Sequence, residues 1–151
     1  MADKNNKELV RDGIREIWGE GKLDRIDHYF ASDVMIEDPM GSQKGPKAMR
    51  EQVSMMRQAF PDMRVSVDSV IGEGDIVAYS FTVTGTHRGR LQSIEPSGRQ
   101  VTVKGVGLSK IKNGKVIHDH SQWDLFGLMV QIGAISPPEF MESGAGRGAQ
   151  A

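Results

Sequence analysis

After Phe60 the spacing of apolar residues changes from a helical period of about 3.6 to a strand period of 2, and this switch constrains the fold more than any single residue. Before it, Val10, Ile14, Ile17 and Trp18 form one stripe of a helix over residues 7–18, which Gly19-Glu20-Gly21 ends. Leu23, Ile26, Tyr29 and Phe30 mark a second, shorter helix closed by Ala31-Ser32-Asp33. Met49, Val53, Met56 and Phe60 mark a third, opened by Gly45-Pro46 and stopped by Pro61-Asp62. After it, strands are expected over 64–71, 76–87, 101–111 and 116–123, with turns at Gly72-Glu73-Gly74-Asp75 and Lys112-Asn113-Gly114-Lys115. Residues 88–99 contain Gly89, Pro96 and Gly98 and read as a long connection. A last short helix through Leu125, Leu128, Met129 and Ile132 starts at Asp124, its expected N-cap, and ends at Gly133.

Helices first and strands afterwards predict an α+β domain, a curved antiparallel sheet wrapped around N-terminal helices. One domain over 1–133 is expected, followed by a small, polar tail over 134–151 that reads as flexible. A sheet curled over helices leaves a pocket between the layers, the default place for a ligand.

One stretch interrupts the helical half. Val34 to Asp38 reads as a short strand that stops at Pro39 and Gly41 with a carboxylate at its very end. Proline after it holds Asp38 in extended geometry. Two readings are open: a base facing an apolar cavity, where desolvation raises its pKa, or a solvated turn aspartate. On the final strand His118, His120 and Gln122 share one face, and Asp119, Ser121 and Trp123 the other, and the pattern does not decide which looks inward. The His-x-His pair has a metal-ligand spacing, but no third ligand is set by spacing, so no metal is expected. His87, at a strand end, reads as structural.

The totals narrow the function. A formal net charge of −1 over 151 residues argues against a nucleic-acid partner. The absence of cysteine removes disulfides, thiolate metal sites and a thiol nucleophile. No apolar run approaches a membrane span, and the polar start is unlike a signal peptide, so the expected location is cytoplasmic. Phosphate-binding, dinucleotide-binding, serine-hydrolase and zinc-protease motifs are absent from the sequence. What remains is acid–base work on a small molecule, or binding without chemistry.

Three stretches resemble the SnoaL-like polyketide cyclases, within the superfamily of nuclear-transport-factor-2-like and ketosteroid-isomerase-like domains. They are Ile36-Glu37-Asp38-Pro39-Met40-Gly41; Thr84-Gly85-Thr86-His87-Arg88-Gly89 with Pro96-Ser97-Gly98-Arg99; and Asn113-Gly114-Lys115 leading to Trp123-Asp124 and on through Gly127 to Gly133. The resemblance implies a cone-shaped α+β barrel, a homodimer or larger assembly, and cofactor-free chemistry at enolisable carbons of a small hydrophobic polycyclic substrate. Asp38 falls where the ketosteroid isomerases carry their general base. Their oxyanion partners, a tyrosine and a protonated aspartate, would correspond to Ile14 and Gly107, so steroid isomerisation is not expected. In a gapless register Ser121 stands where the cyclases keep their acid/base aspartate and Asp119 where they often carry histidine; a register with one gap puts Gln122 there instead.

The expected function is therefore a cyclase or isomerase of a polyketide-like or terpenoid-like molecule. Asp38 would be the base, Asp119 the acid or orienting group, and Ser121, Tyr79 and Trp123 substrate contacts. The alternatives are a non-catalytic binding or assembly domain of the same fold, and a cofactor-independent hydroxylase or epoxide hydrolase, although no arginine is placed for an Asp-Arg-Asp constellation.

Overall fold

The computed structural model describes residues 2–139, with side chains from Asn5 onward. The first helix, α1, runs over Ala2–Gly13 and continues without a break into wider π-type turns over Ile14–Gly19. A 3₁₀ turn at Leu23–Arg25 leads to the single-turn α2, Ile26–Tyr29. The strand bearing Asp38, β1, then spans Phe30–Asp38, so Ala31, Ser32 and Asp33 belong to it and do not close a helix. A two-residue turn at Pro39-Met40 folds the chain into β2, Gly41–Lys44, a strand the sequence pattern does not announce. Helix α3, Pro46–Ala59, follows.

The rest matches the period-2 reading: β3 Arg64–Glu73, β4 Ile76–Thr86, β5 Gln100–Lys112, β6 Lys115–Trp123 and the closing helix α4, Leu125–Gln131. Asn113 and Gly114 both take positive φ, 52° and 73°, as a tight turn between β5 and β6 demands. Asp124 caps α4, its Oδ1 accepting the Gly127 N–H at 2.8 Å.

The sheet runs β2-β1-β6-β5-β4-β3. It is curved and unclosed, with β2 and β3 at its edges, and it is mixed, because β1 pairs with β6 in parallel. The expectation of a purely antiparallel sheet fails at that one junction. β1 precedes all the meander strands, and the chain passes through β2, α3 and β3–β5 before β6 lies down beside it. From Asp119 to Trp123 the odd residues of β6 turn toward the helices, while a register shift after Val116 leaves that residue in the core as well. Helix α3 packs on β1 and β2, while α1 and its π turns pack on β3, so one face of the sheet is covered. Two clusters fill the space between. One, around Val34, Ile36, Val53, Val77 and Val116, lies under α1 and α3; the other, around Phe60, Met63, Val101, Val103 and Leu128, lies under α4, and Trp18 joins them. None of the described helices is long and apolar enough to cross a membrane. Residues 140–151, most of the segment expected to be flexible, lie outside the described residues.

The inner surface has one unusual provision. Gly105 and Gly107 stand on the inward face of β5, and the rings of Phe81 and Tyr79 on β4 fold over them. A Cβ at Gly105 would sit 2.4 Å from Phe81 Cζ and 2.8 Å from Trp123 Cβ. Gly105→Ala is expected to cost about 1–3 kcal/mol through overpacking. Urea denaturation checks this as a lowered midpoint with an unchanged slope; an unmoved midpoint would mean that Phe81 swings aside freely.

Candidate active site

Between the helices and the inner face of the sheet lies a cavity of about 130 Å³, measured as space open to the centre of a water molecule. Its walls are mostly apolar: Trp18 from the π turns, Met49 and Met56 from α3, Phe81, Val103 and Leu128. Polar groups gather at one place, where Asp38 ends β1, Gln52 projects from α3, and Tyr79, Asp119 and Ser121 project from β4 and β6.

Strand parity puts them there. Val34 and Ile36 are buried, so Asp38 continues the inward side of β1. Ile36 pairs with Asp119 on the neighbouring strand, which makes Asp38 and Asp119 diagonal neighbours on one wall, with α-carbons roughly 8 Å apart by strand geometry. The odd face of β6 thus borders the cavity with Asp119, Ser121 and Trp123. The even face looks out: His118 pairs with the Glu37 carboxylate at 2.5 Å, and His120 and Gln122 line the outer surface of the sheet. The gapped register, which would make Gln122 the acid/base residue, therefore puts that group on the wrong side of the sheet. Among the described residues no three His, Asp or Glu side chains converge as a metal site.

The two carboxylates are held differently. Asp38 Oδ1 accepts the Met40 N–H at 2.8 Å, and Oδ2 accepts from the Gln52 amide. Asp119 has hydroxyl donors: the Tyr79 hydroxyl lies 2.9 Å from both of its oxygens, and Ser109 Oγ donates to Oδ1 at 2.6 Å. Asp119 keeps some accessible surface where it borders the cavity, yet it lies deep among protein atoms. Desolvation is the largest influence on it and raises its pKa, against the opposing pull of the Ser109 and Tyr79 hydrogen bonds. Tyr79 is 8% exposed. Burial, and then the charge of Asp119, push its phenol well above the ordinary value, so it stays protonated and serves as a donor. Gly107 permits the contact: a Cβ there would lie 2.3 Å from the Tyr79 oxygen. The Tyr79 ring from β4 thus fills the space that a side chain at Gly107 would take.

Two of these groups were not singled out by the sequence reading. Gln52 is the one polar residue on the buried stripe formed with Met49, Val53 and Ala59. Ser109 lies on the inward parity of β5, two residues from Gly107. A polar residue breaking an otherwise apolar period was the available signal for both. His87 is fully buried, and its Nδ1 accepts the Ser97 N–H at 3.1 Å, which holds the 88–99 connection in place.

The sequence profile of the SnoaL-like polyketide cyclases matches residues 8–132. Nogalonic acid methyl ester cyclase of Streptomyces nogalater is 31% identical over 117 residues, covering 75% of this chain and 87% of that one. Among solved structures, a candidate SnoaL-like polyketide cyclase from Jannaschia sp. CCS1 superposes with a TM-score of 0.80 at 27% identity, over 90% of this chain and 95% of that one. A candidate hydroxylase from Streptomyces galilaeus shares the fold, with a TM-score of 0.80 at 23% identity, over 98% of this chain and 94% of that one.

The raised pKa of Asp119 has a consequence for stability. A buried acid whose folded pKa lies above its unfolded value penalises the fold once it must ionise. Stability from this group is therefore highest at low pH and falls as pH rises from the unfolded pKa, near 4, through the folded one. Asp119→Asn, which keeps the shape and cannot ionise, should melt above the wild type at neutral pH, with the difference shrinking as pH falls toward about 4. Thermal melts across pH check this; a gap that does not vary with pH would contradict it.

Proposed function

The chain belongs to the SnoaL-like polyketide cyclase family, and from that premise we propose that it closes or isomerises a polycyclic, polyketide-like ketone without a cofactor. Asp38 would take the proton next to a carbonyl. The observation that carries this reading is the juxtaposition, in one apolar cavity, of a carboxylate held by N–H donors and a desolvated carboxylate with a raised pKa. Such a pair can divide base and acid roles.

The steps follow from the positions. Asp38 removes the proton from the α-carbon, and the C–H electron pair moves into a C–C double bond while the carbonyl oxygen gains negative charge. The Tyr79 hydroxyl and Asp119, in the protonated form that burial favours, are the donors at hand for that oxygen. In an aldol closure the enolate carbon then bonds to a second carbonyl carbon, whose oxygen takes up a proton from Asp119. In a double-bond shift, protonated Asp38 returns its proton to a different carbon. Trp18, Trp123 and the methionine side chains would hold the apolar body of the substrate and exclude water.

Exchange of the C1 hydrogens of 2-tetralone in deuterated water, followed by NMR, tests the first step without the natural substrate. Asp38→Asn should slow the protein-catalysed exchange by about 10²-fold or more. Equal exchange by wild type and variant would remove Asp38 as the base.

We also propose that a second copy of the chain covers the outer face of the sheet. Ile71, Val106 and Leu108 lie there 69%, 59% and 52% exposed. Asp68, Lys104 and Lys110 on the same face supply both signs of charge around them, as a self-complementary contact requires. Leu108→Glu should convert a sedimenting dimer to a monomer; a wild type that sediments as a monomer, or a variant that stays dimeric, would contradict this.

A further inference from the structure

Gln52 sits three residues after Met49 and four before Met56, on the stripe of α3 that faces the sheet. It is 6% exposed and lines the cavity. Its Nε2 donates to Asp38 Oδ2. An ionised carboxylate can only accept, so the amide must present its NH₂ to Asp38 and its oxygen elsewhere. That oxygen, Oε1, is buried and has no partner among the described residues. A buried acceptor without a donor works against folding, and a methionine of similar volume would spare the fold that cost. The bond to Asp38 accounts for the NH₂ of this glutamine, and a ligand donor would account for its oxygen.

We propose that Gln52 is a specificity-determining residue whose Nε2 aims Asp38 and whose Oε1 accepts a hydrogen bond from a hydroxyl of the substrate. This rests on the reading of Asp38 as the base. Because Nε2 and Oε1 belong to one planar group, a donor held by Oε1 lies beside the carboxylate that Nε2 holds. The substrate hydroxyl then stands close to the carbon that loses its proton, as an enol or phenol two or three bonds away. The cavity accordingly selects hydroxylated ketones over their O-methyl counterparts. A methyl ether leaves Oε1 without a donor and adds a carbon to a packed wall.

The probes are 8-hydroxy-2-tetralone and 8-methoxy-2-tetralone, in which the substituent oxygen stands three bonds from the acidic C1. Binding is read by NMR titration of the indole N–H groups of Trp18 and Trp123, the two tryptophans of the sequence, both of which border the cavity. Wild type should bind the hydroxy compound about tenfold tighter, the worth of one net hydrogen bond. Gln52→Met should bring the two affinities within about twofold, chiefly by weakening binding of the hydroxy compound.

A preference that survives in Gln52→Met, or a wild type that binds the two alike or binds neither, would overturn the proposal. Its failure is separable from that of the base reading. If Asp38→Asn still exchanges the C1 hydrogens while Gln52→Met loses the preference, selection by Gln52 stands and proton abstraction by Asp38 falls. If Asp38→Asn stops exchange while the preference survives in Gln52→Met, the reverse holds.

Discussion

The Tyr79 hydroxyl reaches Asp119 because Gly107, on the strand between them, has no side chain in the way. Antiparallel register places Tyr79 opposite Gly107 and Gly107 opposite Ser121, so β4, β5 and β6 meet at a point where the inner face is bare. A bulkier residue at 107 would turn the tyrosine ring away. Asp119 would then keep the Ser109 hydroxyl and lose its second partner, deep in a place where a carboxylate needs both. The polar end of the cavity depends on that gap, and the apolar end is built around it by α1, α3 and α4.

Surroundings, more than residue type, separate the two aspartates. Asp38 ends a strand against a turn, where the Met40 N–H and the Gln52 amide hold its oxygens in place. Asp119 lies mid-strand, flanked by β1 on one side and β5 on the other, and desolvation lifts its pKa. Both line a cavity that sheet curvature and the π turns after α1 leave open. Burial favours the neutral form of Asp119 and the protonated form of Tyr79, a donor pair suited to a carbonyl oxygen that gains charge.

Much of this arrangement was legible in the sequence, for identifiable reasons. The change of period after Phe60 is a local signal, and it yields α3 and four of the six strands with their turns. Strand β2 is absent from that reading because Gly41-Ser42-Gln43-Lys44 carries no β-branched or aromatic residue; its extended state is imposed by pairing with β1 across a two-residue turn. The early start of β1 at Phe30 was hidden for a similar reason, since Ala31-Ser32-Asp33 are as compatible with a helix end as with a strand. The parallel β1–β6 contact is non-local and leaves no periodic trace. The inward face of β6 was undecided because both of its faces are half polar, and only register with β1 and β5 resolves it. Gln52 escaped notice because the stripe of α3 was read from its apolar members alone.

The cavity holds a carboxylic acid whose pKa burial has raised, and Asp38 stands beside it as the proposed base. Carboxyl-detected NMR titration of the aspartates tests this most directly, with Asp119→Asn to assign the resonance and Tyr79→Phe as the perturbation. Asp119 should titrate above the ordinary aspartate range, and removing the Tyr79 hydroxyl, which favours the charged form, should move it higher still. An Asp119 that titrates near 4 and does not respond to Tyr79→Phe would mean that burial does not hold it as an acid.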